Sequence, residues 1–317
     1  MDSGKMSIAI MGAGAIGSVI GGMLARQGHG VTLVGRKSHM DAISQSGLHI
    51  SGIWGRHTVL NLDAVTSPPH KYMDLVFLTV KSFDTATSAR DALSMVGPDT
   101  MVVSMQNGLG NVETLAGIAG RDRTIGAMAI FGAIIPEPGR VEVTAIASET
   151  LVGEMDQPPT PRVEAIARML DDAGIPTKTS ANTMRDIWHK ALYSIALNPL
   201  SALLEVPYGD IADNPDTRWL IEKMISEAFQ VAGACGVDLG LESPEEYLKI
   251  LWDQKLPPTR EHRSSMLQDI LRGKRTEIDF INGAVVRLGE EYGIETPNNT
   301  ALVRIVKAKE GLKAGKN

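Results

Sequence analysis

The segment SIAIMGAGAIGSVIGGMLA, residues 7 to 25, constrains this chain more than any other stretch. It carries no charge over 19 residues and follows Lys5, a pattern shared with signal peptides and membrane spans. Its glycines argue against that reading. Gly12, Gly14 and Gly17 stand between a short β-branched run and a helix-like run, where a loop is more natural than a continuous helix. The hexamer Gly12, Ala13, Gly14, Ala15, Ile16, Gly17 satisfies G-x-G-x-x-G, and each glycine has its own task. Gly12 allows a tight turn, Gly14 lets a pyrophosphate approach the backbone, and Gly17 permits close packing of a helix whose first amides face the anion. The helical run ends near Gln27-Gly28, and VTLV at 31 to 34 supplies a second strand. A strand-loop-helix-strand context makes the motif a dinucleotide site rather than a packing turn.

Further along, DLVFLTV at 74 to 80 and TMVVSM at 100 to 105 are continuous apolar runs flanking a helical stretch from about Asp84 to Met95. Parallel strands buried on both faces have this appearance. LHISG, HTVLNL, TIGAMAIFG, GRVEVTA and SETLVG are further strand candidates, and the last ones alternate like antiparallel additions to the same sheet. From Asn182 the pattern changes to helices expected at 183–198, 215–234, 244–255 and 264–290. The expected fold is α/β: an N-terminal Rossmann-like doubly wound sheet over 1–181, ending after PTKTS, and a C-terminal all-helical domain over 182–317. A chain of 317 residues is long enough for two cores.

Apolar residues at 43% and charged residues at 21% are the balance of a water-soluble globular chain. A net charge of -6 argues against nucleic acid as a partner, and no membrane association is expected. The single Cys235 cannot form an internal disulfide, and the seven histidines show no paired ligand spacing. A reducing cytoplasm and no metal site are the expectation.

An NAD site usually places an acidic side chain after the second strand, but here VTLV runs into Gly35-Arg36-Lys37. Arg36 can fork onto phosphate oxygens that a carboxylate would repel, which favours NADP(H). Two more strands end in polar residues, Lys81 and the Gln106-Asn107-Gly108 turn. Ligands of open parallel sheets sit beyond such ends: Lys81 could touch the cofactor, and Asn107 could bond its ribose or the substrate.

RDIWHKALYSIALNPL, 185 to 200, sets Lys190 inside a mostly apolar helix, although burying an unpaired charge costs several kcal/mol. At 100 degrees per residue, Lys190, Ser194, Asn198 and Ser201 share one side while Trp188, Leu192 and Ile195 face the other. Pro199 predicts a kink or helix end at Asn198. A second cluster, SSMLQDILRGKRTEIDFING at 264 to 283, holds Ser264, Ser265, Asp269 and Glu277, of which Glu277 is a plausible partner for a lysine.

Taken in order, GAGAIG, Arg36, Lys81, QNG at 106 to 108, WHK at 188 to 190, NPL at 198 to 200, SSMLQD and RTEID resemble the ketopantoate reductase (2-dehydropantoate 2-reductase) family over nearly the whole chain. The resemblance implies an NADPH-binding Rossmann domain, a helical domain, and a cleft between them where a 2-keto acid is reduced to a 2-hydroxy acid for pantothenate biosynthesis. Carried over by motif, Lys190 is the catalytic lysine, Glu277 orients it, and Asn107, Asn198, Ser265 and Glu277 contact the substrate. Ser194 departs from the pattern, because the family usually has asparagine one turn after the lysine. A hydroxyl is shorter and has one donor rather than two. Two rivals follow: a reductase of a branched-chain 2-keto acid, and a non-catalytic NADP(H)-binding sensor. A homodimer is expected by analogy with most oligomers.

Overall fold

The computed structural model describes residues 4–314, which divide into two compact units. One contains the residues up to Gln106 and Asn111–Thr183; the other contains Asn107–Gly110 and the residues from Met184 onward. The short QNG turn therefore belongs with the helices, and the later crossing follows Thr183.

In the first unit the elements are β1 (Ser7–Met11), α1 (Ala15–Arg26), β2 (Gly30–Val34), α2 (Lys37–Ser46), β3 (Leu48–Gly52), β4 (His57–Val59), β5 (Leu62–Val65) and β6 (Met73–Leu78). They continue with α3 (Thr85–Ala92), β7 (Val96–Ser104), α4 (Asn111–Ala119), β8 (Thr124–Met128), β9 (Phe131–Ile134), β10 (Arg140–Ile146), β11 (Thr150–Glu154), α5 (Pro161–Asp172) and β12 (Thr177–Thr179). Eight strands form one sheet in the order β12-β11-β8-β7-β6-β1-β2-β5, parallel except where β11 meets β8. Its central strands are apolar throughout because both faces are covered. Ile8, Ile10, Leu75 and Phe77 join a core with Ile20 and Leu24 of α1 and Leu170 of α5. Ala9, Met11, Val76 and Leu78 join a second core with Ala89 of α3 and Leu115 of α4.

Of the expected antiparallel additions to this sheet, SETLVG is one, as β11 beside β8, but GRVEVTA is corrected here. β9 and β10 pair instead with β3 and β4 in a separate four-stranded sheet, order β4-β3-β10-β9. TIGAMAIFG is thus two strands serving two sheets, and the alternation of β10 arises because Val141 and Val143 face the same core as α1. Helix α1 lies between the sheets with no room to spare. A Cβ on Gly21 would come within 2.4 Å of Leu33, and one on Gly22 within 2.7 Å of Leu48 and Ile50.

The second unit comprises α6 (Thr183–Leu204), α7 (Tyr208–Asp213), α8 (Pro215–Ala234), α9 (Pro244–Ile250), α10 (Ser265–Leu271), α11 (Asn282–Tyr292) and α12 (Pro297–Ala314), with no strand among its described residues. A π-helical turn, Leu251–Lys255, follows α9. The single helix expected over 264–290 is broken: α10 stops before Gly273, whose φ of +63° is left-handed, and Glu277 lies in the break before a short 3-10 turn, Ile278–Phe280. Among the described residues no helix is long and apolar enough to cross a membrane.

Pro199 does not end α6, which runs on to Leu204. A proline lacks the N–H that would bond to the carbonyl four residues earlier, so the Ile195 oxygen loses its helical donor. Asn282 supplies a replacement, its Nδ2 donating to the Ile195 oxygen at 3.2 Å and to Asn299 Oδ1 at 2.9 Å. Glu227 anchors the same network by accepting from the amides of Asn298 and Asn299 at 2.9 and 3.0 Å, at the start of α12. Replacing Asn282 with leucine should leave a buried carbonyl unsatisfied and cost about 1–3 kcal/mol of unfolding free energy. Urea titration of the variant checks this; an unshifted midpoint would mean that the proline gap needs no filling.

Candidate active site

The glycine loop occupies the carboxyl end of β1, where neighbouring strands are tied together in sequence. The amides of Gly12 and Ala13 donate to the Val34 oxygen at 3.0 and 2.8 Å, Thr79 N donates to Met11 O at 2.8 Å, and Met105 N to Leu78 O at 3.0 Å. These bonds carry the ladder one step beyond β2, β1, β6 and β7, so the residues following each strand line one edge.

Three glycines of the loop differ in what the protein itself demands of them. Gly12 has φ +100°, and a Cβ there would lie 2.5 Å from Val80 N. On Gly17 it would meet the Gly12 oxygen and Thr79 Oγ1, both at 2.5 Å. Gly14 is exposed, its φ is -81°, and its nearest obstacle is 3.9 Å away. No fold requirement calls for glycine there, whereas an anion brought against the backbone would. Helix α1 also begins with no side-chain cap, so its N-terminal amides suit a phosphate.

Arg36 is exposed at the N-cap of α2. That helix is pinned from below by buried His39, whose Nδ1 accepts from Gly139 N at 2.9 Å and whose Nε2 faces Ser18 Oγ at 3.0 Å. Burial lowers the His39 pKa, which keeps both bonds to a neutral ring. Lys81, half-buried, precedes a polar knot that the sequence reading missed. Ser104 Oγ donates to Gln106 Oε1 at 2.8 Å, Gln106 Nε2 to Thr85 Oγ1, Thr85 Oγ1 to Asn111 Oδ1 at 2.7 Å, and Asn111 Nδ2 to Ser82 Oγ at 3.2 Å. All five residues are buried. The knot fixes Ser82 and Gln106, the chain neighbours of Lys81 and Asn107.

In the helical unit, Lys190 is half-buried on α6. Burial pushes its pKa down to about 8, and the negative charge of Glu277 opposes that fall. Glu277 is buried in the break between α10 and α11, and its flanks are held on two sides. Thr276 N donates to Glu310 Oε1 of α12 at 2.7 Å, and Phe280 O accepts from Leu109 N of the QNG turn at 2.8 Å. Gly108, with φ +85°, lets this turn reach Phe280: a Cβ there would stand 2.4 Å from the Phe280 oxygen. Exposed Asn107 is thereby tied to the segment that carries Glu277.

Asn198 is buried two turns along the lysine face, with half-buried Ser194 between them. Its Oδ1 accepts from the Tyr208 hydroxyl at 2.7 Å, and its backbone oxygen accepts from Ser264 Oγ at 3.3 Å. Ser264 is the N-cap of α10, accepting from Leu267 N at 3.0 Å, so its buried hydroxyl is structural. Ser265, one residue on, is exposed and available to a ligand. The helical unit thus holds Asn107, Lys190, Ser194, Asn198, Ser265 and Glu277, and the sheet unit holds the glycine loop, Arg36 and Lys81. Among the described residues no cluster of histidine, cysteine or acidic side chains could hold a metal ion.

A glycine loop on an open parallel sheet, joined to a helical unit that presents a depressed-pKa lysine under the field of a buried carboxylate, defines a pyridine-nucleotide-dependent oxidoreductase. Comparison with known proteins narrows the class. Residues 8–157 match the family model described as ketopantoate reductase PanE/ApbA, and residues 182–310 match its C-terminal counterpart. The chain belongs to the ketopantoate reductase family. It is 36% identical to the 2-dehydropantoate 2-reductase of Aquifex aeolicus (strain VF5), covering 96% of this chain and 97% of that one. It is 40% identical to that of Pyrococcus horikoshii, covering 98% and 99%. Among solved structures it is similar to a PanE/ApbA family ketopantoate reductase from Ralstonia eutropha JMP134, at TM-score 0.86 and 32% identity over 96% of this chain and 99% of that one. It is also similar to D-mandelate dehydrogenase in ternary complex with NADH and anilino(oxo)acetate, at TM-score 0.87 and 27% identity over 96% and 98%.

The steric contrast within the loop is testable without any ligand. Gly12→Ala should lower stability by more than ~1 kcal/mol, because it combines a strained φ with a backbone clash. Gly14→Ala should leave the denaturation midpoint unchanged, and equal losses from the two changes would contradict the geometry.

Proposed function

We propose that this chain reduces 2-dehydropantoate to (R)-pantoate with NADPH, in pantothenate biosynthesis in the cytoplasm, and that Lys190 donates the proton. The observation that carries this reading is the Lys190 ammonium, its pKa drawn down to about 8 by burial and sustained by Glu277. An acid is most useful when its pKa lies near the working pH.

NADPH, when bound, would supply the hydride for the 2-keto carbon, and the chain's own residues would meet the negative charge left on the carbonyl oxygen. The Lys190 ammonium stabilises that oxygen and gives it a proton, acting as a fixed donor aimed at developing charge. Glu277 keeps the amine protonated against burial and accepts a hydrogen bond from a substrate hydroxyl. Asn198, Ser265 and Asn107 would hold the substrate, and Ser194 offers one donor where the family pattern offers two. Gly12 to Gly17 and the first amides of α1 would receive the pyrophosphate, Arg36 would fork onto the 2'-phosphate, and Lys81 would contact the cofactor. The open space beside Gly14 supports this fit.

Lys190→Ala should lower kcat by at least ~100-fold, the range of general acid catalysis, with the dissociation constant of NADPH unchanged within about threefold. Only the protonated lysine is an acid, so kcat/KM of the parent enzyme should hold below pH 8 and fall above it, given a pKa of about 8. Near-normal turnover in the variant would defeat the assignment.

A second reading is favoured by Ser194 and by the likeness to D-mandelate dehydrogenase with NADH: reduction of another 2-keto acid, such as a branched-chain one, by the same lysine. A spectrophotometric screen of 2-keto acids with NADPH and NADH separates the two. The primary reading expects kcat/KM for 2-dehydropantoate to exceed that for 2-ketoisovalerate, which lacks the hydroxyl presented to Glu277, by at least ~100-fold, because a site built for a hydroxyl rejects its absence strongly. A preference for 2-ketoisovalerate would favour the rival, comparable constants for NADPH and NADH would remove the role of Arg36, and no turnover on any keto acid would leave a binding protein.

A further inference from the structure

We infer that Tyr208 is a positioning residue that fixes which end of the Asn198 amide faces the substrate, making Asn198 a donor for a ligand carboxylate. The inference rests on the proposed function in taking the Lys190 face of α6 as the substrate site.

An asparagine amide has an accepting end and a donating end that differ little in shape, so its orientation is decided by its partners. Asn198 is buried, and its Oδ1 accepts from the Tyr208 hydroxyl at 2.7 Å. Its nitrogen has no protein acceptor among the described residues and is not sealed from the surface. The phenol in turn has no freedom. Tyr208 is 3% exposed, its ring stands edge-on to Tyr193 at 5.8 Å and against His262 at 5.2 Å, and its backbone amide donates to His262 O at 3.0 Å. A buried hydroxyl must place its proton on an acceptor, and among the described residues Asn198 Oδ1 is the one that it reaches. Were the amide to flip, the NH2 group would face the phenol oxygen and the phenolic proton would be left without an acceptor. The locked phenol therefore forbids the flip.

The consequence is chemical selectivity. With its oxygen occupied, Asn198 offers N–H donors alone on the face that also carries the Lys190 ammonium. An amide that offers only donors matches a group that only accepts, which in a 2-keto acid is the carboxylate or the keto oxygen. The lysine is assigned to the keto oxygen, so the amide falls to the carboxylate.

Tyr208→Phe removes the lock while keeping the ring. With 2-dehydropantoate, kcat/KM should fall about tenfold, the value of one hydrogen bond of ordinary strength, mainly through KM. In an Asn198→Ala background the same change should cost less than about twofold, because a residue that acts through another has nothing left to position. A phenol with a merely structural role would cost the same in both backgrounds, and that additive result would overturn the inference. Should Tyr208→Phe fail to fold, as judged by circular dichroism, Asn198→Asp provides the test. Its carboxylate still accepts the phenolic proton, but turns an acceptor toward the substrate, so kcat/KM should drop at least ~100-fold with the melting temperature retained; a loss below about threefold would overturn the inference. Lys190→Ala measured alongside separates the failures. Retained turnover there sinks the proposed function, whereas lost turnover with an additive cycle sinks only the role of Tyr208.

Discussion

The helical unit depends on a helix that its own sequence should interrupt. Pro199 sits inside α6 and leaves the Ile195 carbonyl without the donor that helical geometry would provide. Asn282, 87 positions later, fills the gap, and the asparagine is itself held through Asn299 to Glu227 of α8. One hydrogen-bond defect is thereby converted into a joint between α6, α8, α11 and α12. The far end of α6 is finished in the same manner, with Lys309 Nζ donating to the Ala202 and Leu203 oxygens at 2.9 Å. Because α6 carries Lys190, Ser194 and Asn198 in its regular stretch before the proline, that helix sets the spacing of all three.

Local signals made much of the fold legible. The glycine hexamer, the short apolar strands and the change to helical periodicity near residue 182 each rest on neighbours in the chain, and each matches a described element. Errors arose wherever a distant partner decided the outcome. GRVEVTA alternates correctly for a half-buried strand, but alternation cannot say which sheet a strand joins, and contact with α1 settles that. Over 264–290, apolar spacing alone predicts one helix, while Gly273 and the bonds of Thr276 and Phe280 to α12 and the QNG turn break it. Pro199 was itself the available sign of an unsatisfied carbonyl, yet nothing local identifies Asn282 as the donor.

The candidate site divides along the same line. Residues in contiguous motifs, such as Gly12 to Gly17 and Lys190 with Asn198, can be singled out from spacing and chemistry. Their supporting residues are scattered. Ser82, Thr85, Ser104, Gln106 and Asn111 form a buried knot from three separate segments, and none belongs to a recognisable pattern. Tyr208 follows Val206-Pro207 in what reads as an ordinary helix start, and its importance emerges only when its hydroxyl meets Asn198. Polar groups that touch a ligand must be of particular types, whereas those that orient them need only be complementary to one neighbour, so the second set leaves a weaker trace.

Lys190 and Glu277 show why such support is extensive. An amine whose pKa has fallen to about 8 is less stable as a cation than it would be in water, and the loss would be greater without the carboxylate. The buried ammonium is therefore a burden on stability that the rest of the unit must carry. That cost explains the bracing of Glu277, whose neighbours are bonded to α12 on one side and to the QNG turn on the other. A carboxylate free to swing toward solvent would let the lysine shed its proton. Holding the carboxylate in place keeps the proton on the amine at neutral pH, while burial keeps that proton easy to give away.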